Sequence, residues 1–289
     1  LAGEVVCADA RQVFCELELG TGKPTPAERG ARRHHLFEWL ALGERPTAGR
    51  WALAAAAACE DCFRRGVVPV LVGGSGLYLA ALQHGLHPEP PRDAAARSAL
   101  ERECDTVGVE QMHAQLRVRD PQAAAALAPR DRQRVLRALE VVMVGGHPLA
   151  WWRALPRQSP LVADWRSYEL RVPPEALSQR IVLRTRGMWG QGLLAETRAL
   201  VDAGLEPALR ALAAIGYDEA LDLLAGQIAP KEAERRMNER TRQLAKRQRT
   251  WFRHQMSAVP LDAGARPAAA WAERVATECL TGTPPPAGP

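Results

Sequence analysis

The stretch from Val67 to Leu82 limits the possible folds more than any other part of the chain. Val67 to Val72 is a short apolar run, with Pro69 inside it, and reads as a β-strand. It passes directly into Gly73-Gly74-Ser75-Gly76 and then into Leu77-Tyr78-Leu79-Ala80-Ala81-Leu82, a helical pattern. Upstream lies an Ala-rich helix from Thr47 to Arg65. Before that, a first apolar run around Val5-Val6-Cys7 ends on Asp9. Strand, helix, strand, glycine turn and helix in this order form a βαβ unit, which implies a parallel sheet. Pro69 is a mild objection, because proline suits sheet edges and strand starts. In open α/β sheets, ligands sit beyond the carboxyl ends of the strands. That places Asp9 at the mouth of a site, beside Arg11 and Lys23. An aspartate in such a place also serves simply as a turn or helix cap.

The rest of the chain divides by its prolines and glycines. Pro88 to Pro91 breaks the pattern, and a charged helical region follows from about Asp93 to Val144. Gly145-Gly146-His147-Pro148 punctuates its end. A strand is expected from Ser167 to Val172, stopped by Pro173-Pro174, with a helix starting near Glu175. Helix dominates from there to Met256, and Val259 to Leu261 is a candidate last strand. The expected organisation is α/β: a core over 1–89, a helical insertion over 90–162, a mostly helical second part of the core over 163–280, and a disordered Pro/Gly-rich tail over 281–289.

The 289 residues are 47% hydrophobic and 25% charged, ordinary for a soluble globular protein. A net charge of +5 permits phosphate or nucleic-acid partners without proving them. The longest apolar run, Trp51 to Cys59, is too short to span a bilayer, and no secretory signal is visible. A cytoplasmic protein without a membrane partner is expected. Cys59 and Cys62 form the one CxxC among six cysteines, with no second ligand pair for a structural zinc site.

Several motifs carry possible chemistry. The Gly73-Gly74-Ser75 turn offers backbone amides and a hydroxyl at a helix N-terminus, an anion-binding arrangement. A plain N-cap with glycines for tight turning is the simpler reading, and a lone GGSG does not override it. Gly20-Thr21-Gly22-Lys23 is not a Walker A loop, because Leu17 and Pro24 stand where that motif needs Gly and Ser or Thr. Arg180 and Arg184 share a helix face and suit a phosphate clamp or a solvated surface. Gln133 to Arg137 begins a basic helix that fits an RNA backbone or is an ordinary charged surface helix. A longer basic tract runs from Arg235 to Arg253 and includes Lys246 and Arg247. Trp251 and Phe252 are embedded in it, as stacking groups or as core anchors.

Taken in order, these segments resemble the tRNA dimethylallyltransferase (tRNA isopentenyltransferase) family. The pieces that carry the resemblance are Asp9-Ala10-Arg11-Gln12-Val13-Phe14, Gly20-Thr21-Gly22-Lys23-Pro24, Val72-Gly73-Gly74-Ser75-Gly76-Leu77-Tyr78, Arg134 to Val141, Ile215-Gly216-Tyr217-Asp218-Glu219, and Arg242 to Arg253. The resemblance implies a P-loop-NTPase-like parallel sheet core with an inserted all-helical domain. It implies transfer of a dimethylallyl group from dimethylallyl diphosphate to the N6 amine of the adenosine 3′-adjacent to the anticodon of tRNA, with Mg2+ on the diphosphate.

By the same resemblance, Asp9, Ser75 and Arg184 are catalytic, and Gly73, Gly74, Ser75, Lys23 and Arg184 hold the diphosphate. Asp9, Ala10, Arg11 and Gln12 meet the tRNA anticodon stem-loop. So do Arg97, Gln133, Arg134, Val135, Leu136, Arg137, Lys246 and Arg247. No protein metal ligand is implied, and a monomer is expected. Ser75 stands where the family usually has Thr, and Ala10 where it usually has Ser. The family's opening strand and GPTASGKT-like P-loop would lie before Leu1, so a molecule beginning there is expected to be inactive. A catalytically inactive RNA-binding fragment is the alternative. Another nucleotide-type transferase on the same core fits less well, because the Walker A loop is missing.

Overall fold

A computed structural model describes residues 2–30, 32–263 and 268–281. The tail from 281 to 289 lies outside the described residues except for its first position. The chain divides into two compact units, Leu1–Gln83 with Pro160–Pro289, and His84–Ser159.

The first unit opens with β1 (Gly3–Cys7), a 3-10 turn (Leu19–Thr21), α1 (Pro26–Arg29), β2 (His34–His35), α2 (Ala48–Arg64), β3 (Val68–Val72) and α3 (Gly76–His84). The strands form a parallel sheet in the order β2-β1-β3, with Val6 opposite His35 and Cys7 opposite Val72. The βαβ reading therefore holds. Thr47 starts α2 by accepting a hydrogen bond from Arg50 N. The buried face of α2 is mostly small, with Ala52, Ala55, Ala56 and Cys59, so the helix lies close on the sheet. Trp51 fixes the contact: it is fully buried, donates to the Cys7 carbonyl at 2.8 Å and stacks on Tyr78 at 4.8 Å. Pro69 is tolerated because β3 pairs on one side only among the described residues. Val70 and Val72 are exposed on this strand.

The second unit is helical: α4 (Ala94–Val107), α5 (Val109–Arg119), α6 (Pro121–Ala125), α7 (Arg132–Gly145) and α8 (Leu149–Ala154). Asp93, Asp120 and Asp131 cap α4, α6 and α7 by accepting first-turn amides. Leu100, Met112, Leu116, Val135, Leu136 and Leu139 fill its core.

The first unit then resumes with β4 (Tyr168–Arg171), α9 (Pro174–Gln191), α10 (Leu193–Asp202), α11 (Glu206–Leu212), α12 (Tyr217–Leu224), α13 (Pro230–Gln255), β5 (Val259–Asp262) and α14 (Ala268–Thr281). Pro174 occupies the first turn of α9, where its missing N–H costs nothing. The strands β4 and β5 pair in parallel as a second small sheet, with Leu170 opposite Leu261. Among the described residues no helix is long and apolar enough to cross a membrane.

Candidate active site

β1 and β3 end side by side, and the two turns that follow them are joined by their backbones. Ala8 N donates to Val72 O at 2.8 Å, and Ser75 N donates to Ala8 O at 3.1 Å. Gly73 is required here: a Cβ on it would lie 2.1 Å from the Ala8 carbonyl oxygen. Ala10 N then donates to Ser75 Oγ at 2.9 Å. The Ser75 hydroxyl accepts that bond and keeps its own proton to donate elsewhere.

Asp9 caps its own turn, as the plainer sequence reading allows. Its Oδ1 accepts from Arg11 N at 2.8 Å and Gln12 N at 3.3 Å. Those bonds hold the carboxylate, and among the described residues Oδ2 has no hydrogen bond. Arg11 reaches the Leu212 carbonyl at 2.9 Å, and burial lowers its pKa. Gln12 turns inward: its Nε2 donates to the Thr21 and Gly22 carbonyls at 3.2 and 3.1 Å.

Arg184, exposed on α9, closes the same group from the other side. Its Nη2 lies 3.5 Å from Thr21 O. Gly22 has φ +60°, and a Cβ there would lie 1.7 Å from Arg184 Nη2. A continuous chain of contacts therefore links Arg184 to Thr21 and Gly22, to Gln12, to Asp9, and through Ala10 to Ser75. Helix α13 braces the glycine turn from outside. Gln248 Nε2 donates to Gly74 O at 3.1 Å, and the Trp251 ring fills the space where Gly76 would carry a Cβ. Trp251 is thus an anchor and not a free stacking group.

Other candidates lie elsewhere. Lys23 is buried, with Nζ 3.4 Å from Cys15 O, 3.5 Å from Glu18 and 3.7 Å from Glu38. Its charge is already neutralised inside the fold, because a buried ammonium needs partners. In the helical unit the side chains of Val135 and Leu136 are fully buried in the core. Arg97 pairs with Glu101 and lies 3.8 Å from the buried Glu140. Arg137 pairs with Glu89 and sits 2.8 Å from Glu140 without hydrogen-bond alignment. Both arginines neutralise an interior carboxylate. Gln133 and Arg134 are exposed on the first turn of α7.

On α13, Arg242, Lys246, Arg249 and Arg253 recur every three or four residues, so they form one exposed stripe, with Arg247 beside it. Arg235 and Arg236 are paired with Glu232 instead. Cavities of 590 and 380 Å³ are lined by segments around Phe252 and around Leu149, and neither includes Asp9, Ser75 or Arg184.

Three residues of metal-ligating type, Glu4, His35 and Cys62, cluster behind the sheet. Arg65 grips both oxygens of Glu4 at 2.6 Å, and His35 Nε2 lies 2.7 Å from Oε2. The guanidinium already supplies the countercharge, so the cluster is an internal ion pair. Glu196 and Tyr217 were not assigned roles by the sequence. Glu196 accepts from Glu18 N and Leu19 N, both at 2.9 Å, and from the Tyr217 hydroxyl.

Known proteins resemble this chain in fold and sequence. The family model described as IPP transferase matches residues 12–255. A tRNA dimethylallyltransferase of Halorhodospira halophila is 42% identical over 268 residues, covering 92% of this chain and 86% of that protein. The crystal structure of a tRNA delta(2)-isopentenylpyrophosphate transferase from Staphylococcus epidermidis superposes with a TM-score of 0.69 at 29% identity, over 97% of this chain and 91% of the other. A eukaryotic dimethylallyltransferase acting on tRNA gives a TM-score of 0.79 over 99% of this chain and 75% of its own; at 24% identity that likeness speaks for the fold alone. The architecture is the P-loop-like α/β fold of these transferases, and the chain belongs to the IPP transferase family.

Proposed function

We propose that the protein transfers a dimethylallyl group from dimethylallyl diphosphate to the N6 amine of the adenosine next to the anticodon in tRNA. The observation that carries this reading is the Ala10 N to Ser75 Oγ bond. It holds a carboxylate and a free hydroxyl proton on neighbouring turns at the carboxyl ends of β1 and β3, and Arg184 reaches the same assembly.

The adenine amine is a weak nucleophile, because its lone pair is delocalised into the ring. Asp9 Oδ2 orients it and accepts a proton as the N6–C1 bond forms. Oδ1 stays engaged with the Arg11 and Gln12 amides, so the carboxylate need not reorganise. The allylic C–O bond breaks and the electron pair leaves with the diphosphate. The Ser75 hydroxyl and the Arg184 guanidinium donate to its oxygens. Mg2+ takes oxygen ligands and is usually bound through substrate phosphates, water and one or two protein oxygens. Ser75 Oγ is an oxygen donor beside the leaving group that would share such an ion with the diphosphate, and the ion would neutralise charge on the leaving group.

The target base must leave its stack to reach Asp9. The stripe of Arg242, Lys246, Arg249 and Arg253, together with Arg247, supplies phosphate contacts on the core. Gln133 and Arg134 offer a second, smaller contact on the helical unit. One chain carries all of these groups, so a monomer suffices. The alternative is an RNA-binding protein without turnover. The separating experiment incubates the full gene product with dimethylallyl diphosphate, Mg2+ and an anticodon stem-loop, and analyses the nucleosides. N6-dimethylallyladenosine 3′ of the anticodon supports transfer. RNA binding without that product supports the alternative.

A further inference from the structure

The loop of Glu18 to Gly22 is held from one side and used from the other. On the inner side, Glu196 receives Glu18 N and Leu19 N at 2.9 Å. Tyr217 is fully buried, donates its hydroxyl to Glu196 and accepts Gly20 N at 3.2 Å. Gly20 lies flat on the Tyr217 ring, where a Cβ would come within 2.3 Å of a ring carbon. Burial and the Glu196 carboxylate push the Tyr217 phenol far up, so it remains a donor. On the outer side, the same loop gives its Thr21 carbonyl to Arg184 and its Thr21 and Gly22 carbonyls to Gln12. Gly22 packs against the guanidinium.

We infer that Tyr217 and Glu196 are positioning residues for the transferase: they fix the Glu18–Gly22 loop and thereby set where the Arg184 guanidinium stands. This rests on the reading of Arg184 as a diphosphate ligand. An exposed arginine has many rotamers, and ordering one on binding costs affinity. A loop that cannot move gives Arg184 a fixed backstop before the ligand arrives. Tyr217 and Glu196 touch no reacting atom in this account.

The test uses Tyr217→Phe and Glu196→Gln in the full gene product, each alone and combined with Arg184→Ala. Y217F removes only the hydroxyl, and E196Q keeps side-chain size. Amide hydrogen exchange over residues 18–22 reads the loop itself, and pyrophosphate binding by calorimetry and prenyl transfer read Arg184. Expected are faster exchange in the loop and about 3- to 10-fold weaker pyrophosphate binding, the range for freeing one ordered side chain. KM for dimethylallyl diphosphate rises, KM for RNA is unchanged, and no further loss occurs once Arg184 is Ala.

If Y217F fails to fold, E196Q alone carries the same comparison, and Gly22→Ala, which displaces Arg184 directly, shows the loss expected when that guanidinium is misplaced. Unchanged loop exchange in the variants overturns the inference. So do losses that multiply with R184A, or an effect on RNA binding equal to that on pyrophosphate. A wild-type protein that neither binds pyrophosphate nor transfers the prenyl group overturns the reading of Arg184, whereas the exchange data still decide whether Tyr217 and Glu196 hold the loop.

Discussion

Gly73→Ala is the most discriminating single change for the junction between the Asp9 and Ser75 turns. The new Cβ would lie 2.1 Å from the Ala8 carbonyl oxygen and 2.2 Å from its carbon. Non-bonded carbons pack at about 3.5–4.0 Å, so against the 2.2 Å approach to the Ala8 carbon the two backbones must part by roughly 1.3–1.8 Å. Neither is a side chain that can swing away. Three hydrogen bonds cross that junction: Ala8 N to Val72 O, Ser75 N to Ala8 O, and Ala10 N to Ser75 Oγ. At about 1 kcal/mol each, their loss costs roughly 3 kcal/mol. For a protein of this size that lowers the melting midpoint by roughly 6–12 °C. A displacement of even about 1 Å between Asp9 and Ser75 reduces turnover by about 100-fold.

Gly74→Ala is the control. Its Cβ meets the tip of Gln248, 2.0 Å from Nε2, and that flexible amide can move at the cost of one bond to Gly74 O. The loss is about 1 kcal/mol. Neither glycine has a positive φ, so strain does not confuse the comparison. Thermal melts and a prenyl-transfer assay on both variants suffice. A G73A protein that melts and turns over like the wild type, or a G74A protein worse than G73A, refutes the reasoning.

Two further outcomes follow from the charges. Arg65 first, and then His35, hold the Glu4 carboxyl well below its usual range, so folded Glu4 releases its proton at lower pH than unfolded Glu4. The stability this gives is present at neutral pH and is lost as pH falls below about 4.3. Melting curves of wild type and Glu4→Gln against pH should converge on acidification, and parallel curves contradict the assignment. On α13, Lys246→Ala should reduce the slope of log affinity for RNA against log salt by about 0.7–0.9. Arg235→Ala should leave the slope alone, because Arg235 already pairs with Glu232 and Glu239; equal effects contradict the proposed stripe.

The local order of elements was legible because each has a strong local signal. Val67–Val72 followed by glycines gave β3 to within a residue, and the Ala-rich face of α2 gave the crossover. The pairing of β4 with β5 into a separate small sheet had no local signal, because register depends on contacts between segments 91 residues apart, as in Tyr168 with Val259. Within the site, Asp9, the glycine turn and Arg184 stood out by residue type. Lys23 illustrates the limit. A lysine after glycine reads as an anion ligand, but its neighbours Glu18 and Glu38 come from both sides of the loop and neutralise it. Val135 and Leu136 belong to a helix whose basic face is legible, yet the 3.6-residue period turns these two inward. Tyr217 and Glu196 were hidden because their roles arise from contacts with backbone amides nearly 200 residues away in sequence.

The proposed transfer depends most on Asp9 as the acceptor of the amine proton. Asp9→Asn keeps an oxygen for the Arg11 and Gln12 amides and replaces the proton-accepting Oδ2 with an amide NH2. The decisive measurement is single-turnover formation of N6-dimethylallyladenosine by wild type and D9N at saturating anticodon stem-loop, with RNA affinity measured in parallel. A loss of about 100- to 10,000-fold in rate with unchanged RNA affinity is expected. Equal rates in the two proteins, or a rate lost only in proportion to RNA affinity, contradict it.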